Sequence, residues 1–87
     1  MSQSVDVEVL VKPGCHLCAE ALEVTEAICA ELGLDYTQTN VEEDPALATQ
    51  FAEEIPVLRI NGQVRDFWKF DSARMRRLLT EAGATSA

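Results

Sequence analysis

VDVEVLVKPGCHLCAE, residues 5–20, decides how this chain is read. Its first seven residues alternate valine with acid and then turn continuously apolar, as in a strand whose second half is buried on both faces. Lys12, Pro13 and Gly14 end that strand. From Cys15 to Leu32 the positions Cys18, Ala21, Leu22, Thr25, Ile28, Cys29 and Leu32 recur at helical spacing, with Glu20, Glu23 and Glu26 mostly off the stripe. Gly33 stops the helix at C′. Two cysteines three residues apart therefore stand where a strand hands over to a helix. Such a pair serves as half of a metal clip, as a structural disulfide or as a redox couple.

Beyond Gly33, LDYTQTNV (34–41) is rich in β-branched and aromatic residues and alternates. It reads as a second strand, parallel to the first because a helix lies between them, in a right-handed βαβ unit. Asp44 and Pro45 supply an N-cap and N1 for a short second helix that turns Leu47 and Phe51 inward. PVLRINGQVRDF (56–67) holds Asn61-Gly62 between two alternating runs, a type I′ hairpin that makes strands three and four antiparallel. Asp71 or Ser72 caps a last helix with Met75, Leu78, Leu79 and Ala82 on its apolar face, and Gly83 with ATSA frays from its end.

At 87 residues the chain is expected to form one domain, 1–87, too small for a second core. Fifteen acids against seven lysines and arginines give a net charge of −8, which repels a phosphate backbone or an anionic membrane. Neither nucleic acid nor membrane is an expected partner. Arg74, Arg76 and Arg77 form a local basic cluster that reads as a solvated helix face. The N-terminal MSQSVDVEVL lacks the basic and apolar regions of a signal peptide, and no apolar run reaches the roughly 20 residues of a membrane span. A cytoplasmic location is expected. In a reducing compartment, three cysteines suit catalysis or metal binding better than a disulfide scaffold.

The order β-α-β-α-β-β-α, with Cys-x-x-Cys at the first strand-to-helix turn and a proline opening the third strand, resembles the thioredoxin fold in its compact glutaredoxin form. Lys12, Gly14, Cys15, Cys18 and Ile55-Pro56 carry the likeness, which is greatest to short bacterial glutaredoxin-like proteins. The resemblance implies an α/β fold with a four-stranded mixed sheet and helices on both faces. It also implies a redox-active Cys15–Cys18 disulfide and a cis Ile55-Pro56 bond beside the cysteine pair.

The residues themselves support the chemistry. Cys15 stands at a helix N-terminus, where unpaired N–H groups and the positive dipole end stabilise a thiolate, the reactive form. Cys18, one turn further in, is more buried. Cys15 thus reads as the nucleophile and Cys18 as the thiol that resolves the mixed disulfide. Lys12 and His16 flank Cys15, and positive charge at either would favour its thiolate further. Both also read as solvent-facing loop side chains.

A zinc site needs two more ligands, and Cys29 lies eleven residues beyond Cys18 on the same helix, roughly 16 Å away at 1.5 Å per residue. No metal is expected, and Cys29 reads as a buried structural cysteine. Glutaredoxins hold the glutathione tail partly with a Gly-Gly-acid segment between strand four and the last helix. Here that segment is DFWKFDS (66–72), which lacks the glycines that let backbone approach a ligand. Trp68 and its neighbours Phe67 and Phe70 read as a cap over the open end of the core, with a partner-docking patch as the alternative.

The sequence therefore points to a glutaredoxin-like thiol-disulfide oxidoreductase using Cys15-His16-Leu17-Cys18. It would act as a monomer, without a cofactor, on a disulfide-containing protein or small thiol substrate, and be recharged by a reductase or low-molecular-weight thiol. The alternative is a non-catalytic, redox-sensing interaction domain on the same fold.

Overall fold

The structure, a computed structural model, describes residues 5–83. Strand β1 (Val7–Val11), helix α1 (His16–Leu32) and strand β2 (Thr37–Asn40) form the opening unit. A short 3₁₀ turn (Val41–Glu43) and helix α2 (Pro45–Gln50) lead to strands β3 (Val57–Ile60) and β4 (Gln63–Phe67), and helix α3 (Ser72–Glu81) closes the order. The expected fraying beyond Gly83 and the first four residues of the N-terminus lie outside the described residues.

One four-stranded sheet runs β2-β1-β3-β4. β1 pairs parallel with β2 and antiparallel with β3, so the sheet is mixed as expected. The hairpin between β3 and β4 turns on Asn61 (φ 53°) and Gly62 (φ 81°), both left-handed as a type I′ turn demands. The β3–β4 register shifts between Leu58 and Arg59, a bulge that pairs Leu58 with Asp66 but Arg59 with Val64.

β2 begins at Thr37, three residues later than the sequence pattern suggests. The preceding helix explains the delay. Gly33 takes φ 71°, its N–H donates to the Ala30 carbonyl, and the Leu34 N–H donates to the Cys29 carbonyl at 2.8 Å. Leu34 is thereby committed to closing α1 and cannot pair in the sheet. Val41 leaves the strand at its other end, because the Asn40 carboxamide caps the 3₁₀ turn by accepting from the Glu42 N–H at 2.9 Å.

Asp44 caps α2 with Pro45 behind it, accepting from the N–H groups of Ala46 and Leu47. Asp71 is the cap of α3, accepting from the Arg74 N–H at 2.8 Å, which places Ser72 inside the helix. The sheet divides the core. Val7, Val9, Leu58 and Ile60 pack with Ile28, Met75, Leu78 and Leu79 of α1 and α3. Leu10 and Val57 pack with Val41, Phe51 and Ile55 on the α2 side, and Cys18 joins that second cluster. Each fully buried large side chain, such as Leu10 or Leu58, contributes about 1.5–3 kcal/mol over leaving it in water. Where α2 is too short to cover the sheet, the Glu8 carboxylate accepts from Thr39 Oγ1 at 2.7 Å and Arg59 Nε at 2.8 Å, tying three neighbouring strands.

Candidate dithiol site

The Lys12–Gly14 turn lets β1 hand over to α1, and Gly14 takes the left-handed φ of 72° that the reversal requires. Cys15 follows in extended conformation as the N-cap of α1. A cap normally offers oxygen. Here Sγ of Cys15 fills that role, accepting from the Cys18 N–H at 3.2 Å. The helix end thus aims a donor at the one sulfur of the pair that is only partly buried.

Cys18 lies one turn inward and is 4% exposed. Burial, then its hydrogen bond with Cys15, pushes its thiol up to about 11, against a smaller opposing influence of the Lys12 backbone and charge. At neutral pH Cys18 is therefore a protonated thiol touching Cys15. Cys29 sits deeper along α1 at 1% exposure, and burial with the nearby Asp35 charge pushes it to about 11 as well. It belongs to the α1–α3 core, away from the pair.

The structure brings most of the sequence-selected residues together. Ile55-Pro56 is cis, and Ile55 and Val57 on either side of Pro56 pack in the cluster that holds Cys18 and abuts Cys15. A cleft of about 350 Å³ opens beside Cys15 and Cys18 toward β2, with Lys12, Leu22, Gln38 and Asn40 among its walls. Lys12 is exposed at its mouth, and His16, the first residue of α1, is exposed. Gln38 and Asn40 had no signal of their own in the sequence, because their place beside the pair depends on the parallel register with β1.

Trp68 corrects an expectation. Of the three aromatic residues expected to cap the core, Phe70 alone does so, packed with the α1 and α3 side chains; Trp68 is 52% exposed and Phe67 43%. Trp68 follows β4 with φ 68°, a conformation glycine adopts freely and a bulky side chain holds at a cost of about 1–2 kcal/mol. Its backbone N–H donates to the Pro56 carbonyl at 2.8 Å, and its indole Nε1–H to the Glu53 carbonyl at 2.6 Å. Phe67 meets the indole edge-on, with centroids 5.1 Å apart. The basic cluster of α3 is engaged locally: Arg74 pairs with the buried Asp66 and Arg76 with Glu31 of α1.

With this geometry in view, comparison with known proteins is direct. The model of the family described as "Glutaredoxin-like domain (DUF836)" matches residues 6–80. The chain belongs to that family. An uncharacterised protein of Mycobacterium tuberculosis, Rv0508, is 29% identical over 75 residues, spanning 80% of this chain and 77% of its own length. The crystal structure of protein XcR50 from X. campestris superposes with a TM-score of 0.71 at 26% identity, covering 86% of this chain and 96% of that one. Thioredoxin from Fasciola hepatica, at 16% identity, shares the fold with a TM-score of 0.66 over 90% of this chain and 80% of its own. This glutaredoxin-like chain thus has a thioredoxin-like α/β fold, and its family supports a redox-type function in general. Among the described residues no helix is long and apolar enough to cross a membrane.

Proposed function

We propose that this glutaredoxin-like protein is a dithiol thiol-disulfide oxidoreductase working through Cys15 and Cys18. The observation that carries the reading is the asymmetry of the pair: a partly exposed Cys15 sulfur receiving a helix N–H, and a buried Cys18 held as a thiol against it. The Cys15 thiolate attacks one sulfur of a substrate disulfide. A mixed disulfide forms, and the other sulfur leaves as a thiolate that takes up a proton. Cys18 then gives up its proton and attacks Cys15 Sγ, closing the Cys15–Cys18 disulfide and releasing the second substrate thiol. Two electrons and two protons pass to the substrate, and a reductase or low-molecular-weight thiol returns them. Lys12 and the Ile55-Pro56 segment border the place of attack, and His16 flanks it.

The proposed working unit is the single domain 1–87, acting as a cytoplasmic monomer on a protein or low-molecular-weight disulfide. Glutathione is the poorer of the two donor classes in this reading. The segment that bears glycines in glutaredoxins here holds Phe67 and Trp68, and the left-handed position after β4 is occupied by an indole instead of open backbone. Losing two or three hydrogen bonds of about 1 kcal/mol each weakens tripeptide binding by tens- to hundreds-fold.

Turnover tests both statements. Reduction of a model protein disulfide is followed with the protein recharged by a thioredoxin reductase, and separately by glutathione with its reductase. Repeated turnover, faster with the first system, is expected. Oxidation that stops after one equivalent with both systems would instead make the pair a redox sensor, and faster saturable turnover with glutathione would reverse the donor assignment.

A further inference from the structure

Trp68 holds an unfavourable backbone conformation with half its side chain in water, so core burial does not account for it. Its ring contact is with Phe67, itself 43% exposed. What the left-handed turn accomplishes is a double grip on one segment. With φ at 68° the chain leaves β4 so that the backbone N–H reaches the Pro56 carbonyl while the indole folds back to the Glu53 carbonyl. The two acceptors bracket residues 53–56, the connection from α2 to β3.

Phe51, Ile55 and Pro56 of that connection are buried, but the stretch between them, Ala52 to Glu54, is exposed or half-buried. Its backbone tie to α2 is the Glu54 N–H to the Phe51 carbonyl at 3.1 Å, and Pro56 has no N–H to give. On the side away from Trp68, Ile55 and Val57 pack in the cluster with Cys18 and against Cys15. The segment is therefore a wall of the dithiol site: its Ile55–Pro56 end is buried against the core, and its Glu53 end is tied from behind by the Trp68 indole. A wall free to move by an ångström would still leave Cys15 reactive, but would no longer align a bulky disulfide with it.

We propose that Trp68 is a positioning residue: it braces residues 53–56 so that this segment presents a substrate disulfide to Cys15. The proposal rests on the oxidoreductase reading above. It concerns alignment of a polypeptide disulfide and leaves the reactivity of the Cys15 sulfur alone. Trp68 touches neither the reacting sulfurs nor, by this reading, the substrate's bonds.

Two variants separate the parts of the grip. Trp68→Phe keeps an aromatic ring and the backbone N–H but loses the indole donor; Trp68→Gly relieves the backbone and loses the ring altogether. Each is compared with the parent in steady-state reduction of a protein disulfide, in alkylation of Cys15 by iodoacetamide, and in thermal unfolding. The expected result is a kcat/KM about tenfold lower for both variants, carried mainly by KM, with Cys15 alkylation within twofold of the parent. The small alkylating agent needs no wall, so a general disturbance of the site would slow both reactions. Parallel loss of alkylation and turnover, or an unchanged KM in Trp68→Phe, would overturn the proposal while leaving the oxidoreductase reading intact. A parent that alkylates normally yet never turns over a protein disulfide would overturn that reading and the proposal with it.

Discussion

The two ends of helix α1 solve the same problem in opposite ways. At its C-terminus Gly33 turns left-handed, so that its own N–H and that of Leu34 satisfy the last carbonyls, and Cys29 beside that turn is sealed in the core. At its N-terminus the cap is a sulfur, and the helix N–H it accepts is the only side-chain cap that end receives among the described residues. One end is finished by backbone and is inert; the other is finished by the atom proposed to react. Three cysteines on or beside one helix thus differ by position: cap, first turn and buried stripe. Residue type alone distinguishes none of them.

Removing the cap sulfur should break the comparison most severely. Cys15→Ser is expected to lower disulfide turnover by a thousandfold or more, roughly 4 kcal/mol in barrier terms, because a hydroxyl at this position is not ionised and cannot form the mixed disulfide. Cys18→Ser should instead still attach to substrate through Cys15 and then stall, visible as a mixed disulfide by mass spectrometry. Equal residual turnover in the two variants would show that the ends of the pair have no division of labour.

Alkylation at pH 7 sharpens the same contrast. A thiol at about 11 is ionised in roughly one molecule in ten thousand. Cys15 should therefore label first, Cys18 slowly, and Cys29 at least a hundredfold more slowly than Cys15, read peptide by peptide. Comparable labelling of Cys29 would mean that the helix stripe does not seal it.

Alkaline stability reports both buried thiols, Cys18 and Cys29, and the Cys29→Ala variant isolates the share of the buried end. The fold raises Cys29 from 9.0 to about 11, so its contribution is complete below pH 9 and is lost as pH rises toward 11, where the unfolded chain ionises and the folded one resists. The loss by pH 11 amounts to about 2 kcal/mol. Denaturant midpoints across this range should fall less steeply in Cys29→Ala than in the parent; identical slopes would remove Cys29 from the account.

Gly33→Ala is the mildest of these changes. A Cβ there meets nothing within 4 Å, so only the left-handed backbone is penalised, by about 1 kcal/mol. Thermal unfolding should report that loss while Cys15 alkylation stays at the parent rate, since the affected turn is at the far end of the helix.

Much of this was legible in the residues. Asn61-Gly62 dictated the hairpin, Asp44-Pro45 the start of α2, and the α1 stripe the burial of Cys18 and Cys29. These signals are local: each acts within one turn of chain. What escaped the sequence was how a helix end spends the amides that follow it, and which residues the sheet brings together from distant parts of the chain. The start of β2 moved because Leu34 spends its N–H on Cys29, and the place of Gln38 and Asn40 beside the dithiol needed the sheet register. Trp68 misled for a different reason. Aromatic side chains usually enter cores, and only the left-handed turn after β4 sends this one outward to grip a loop. The candidate pair itself was legible because the helix cap and the first turn are set by adjacent residues.

The bulge opposite Leu58 and Arg59 bears on colloidal behaviour. β4 is an outer strand, and an outer strand offers unpaired amides to any neighbouring molecule. The irregular register breaks the even row of donors and acceptors there, and Arg65 at the bulge adds an exposed charge to it. On the opposite margin, β2 is four residues long and wholly polar. Neither margin is a good template for a further strand, so the sheet resists growing into fibrils even though the hairpin that ends it is flanked by exposed Val64 and Phe67.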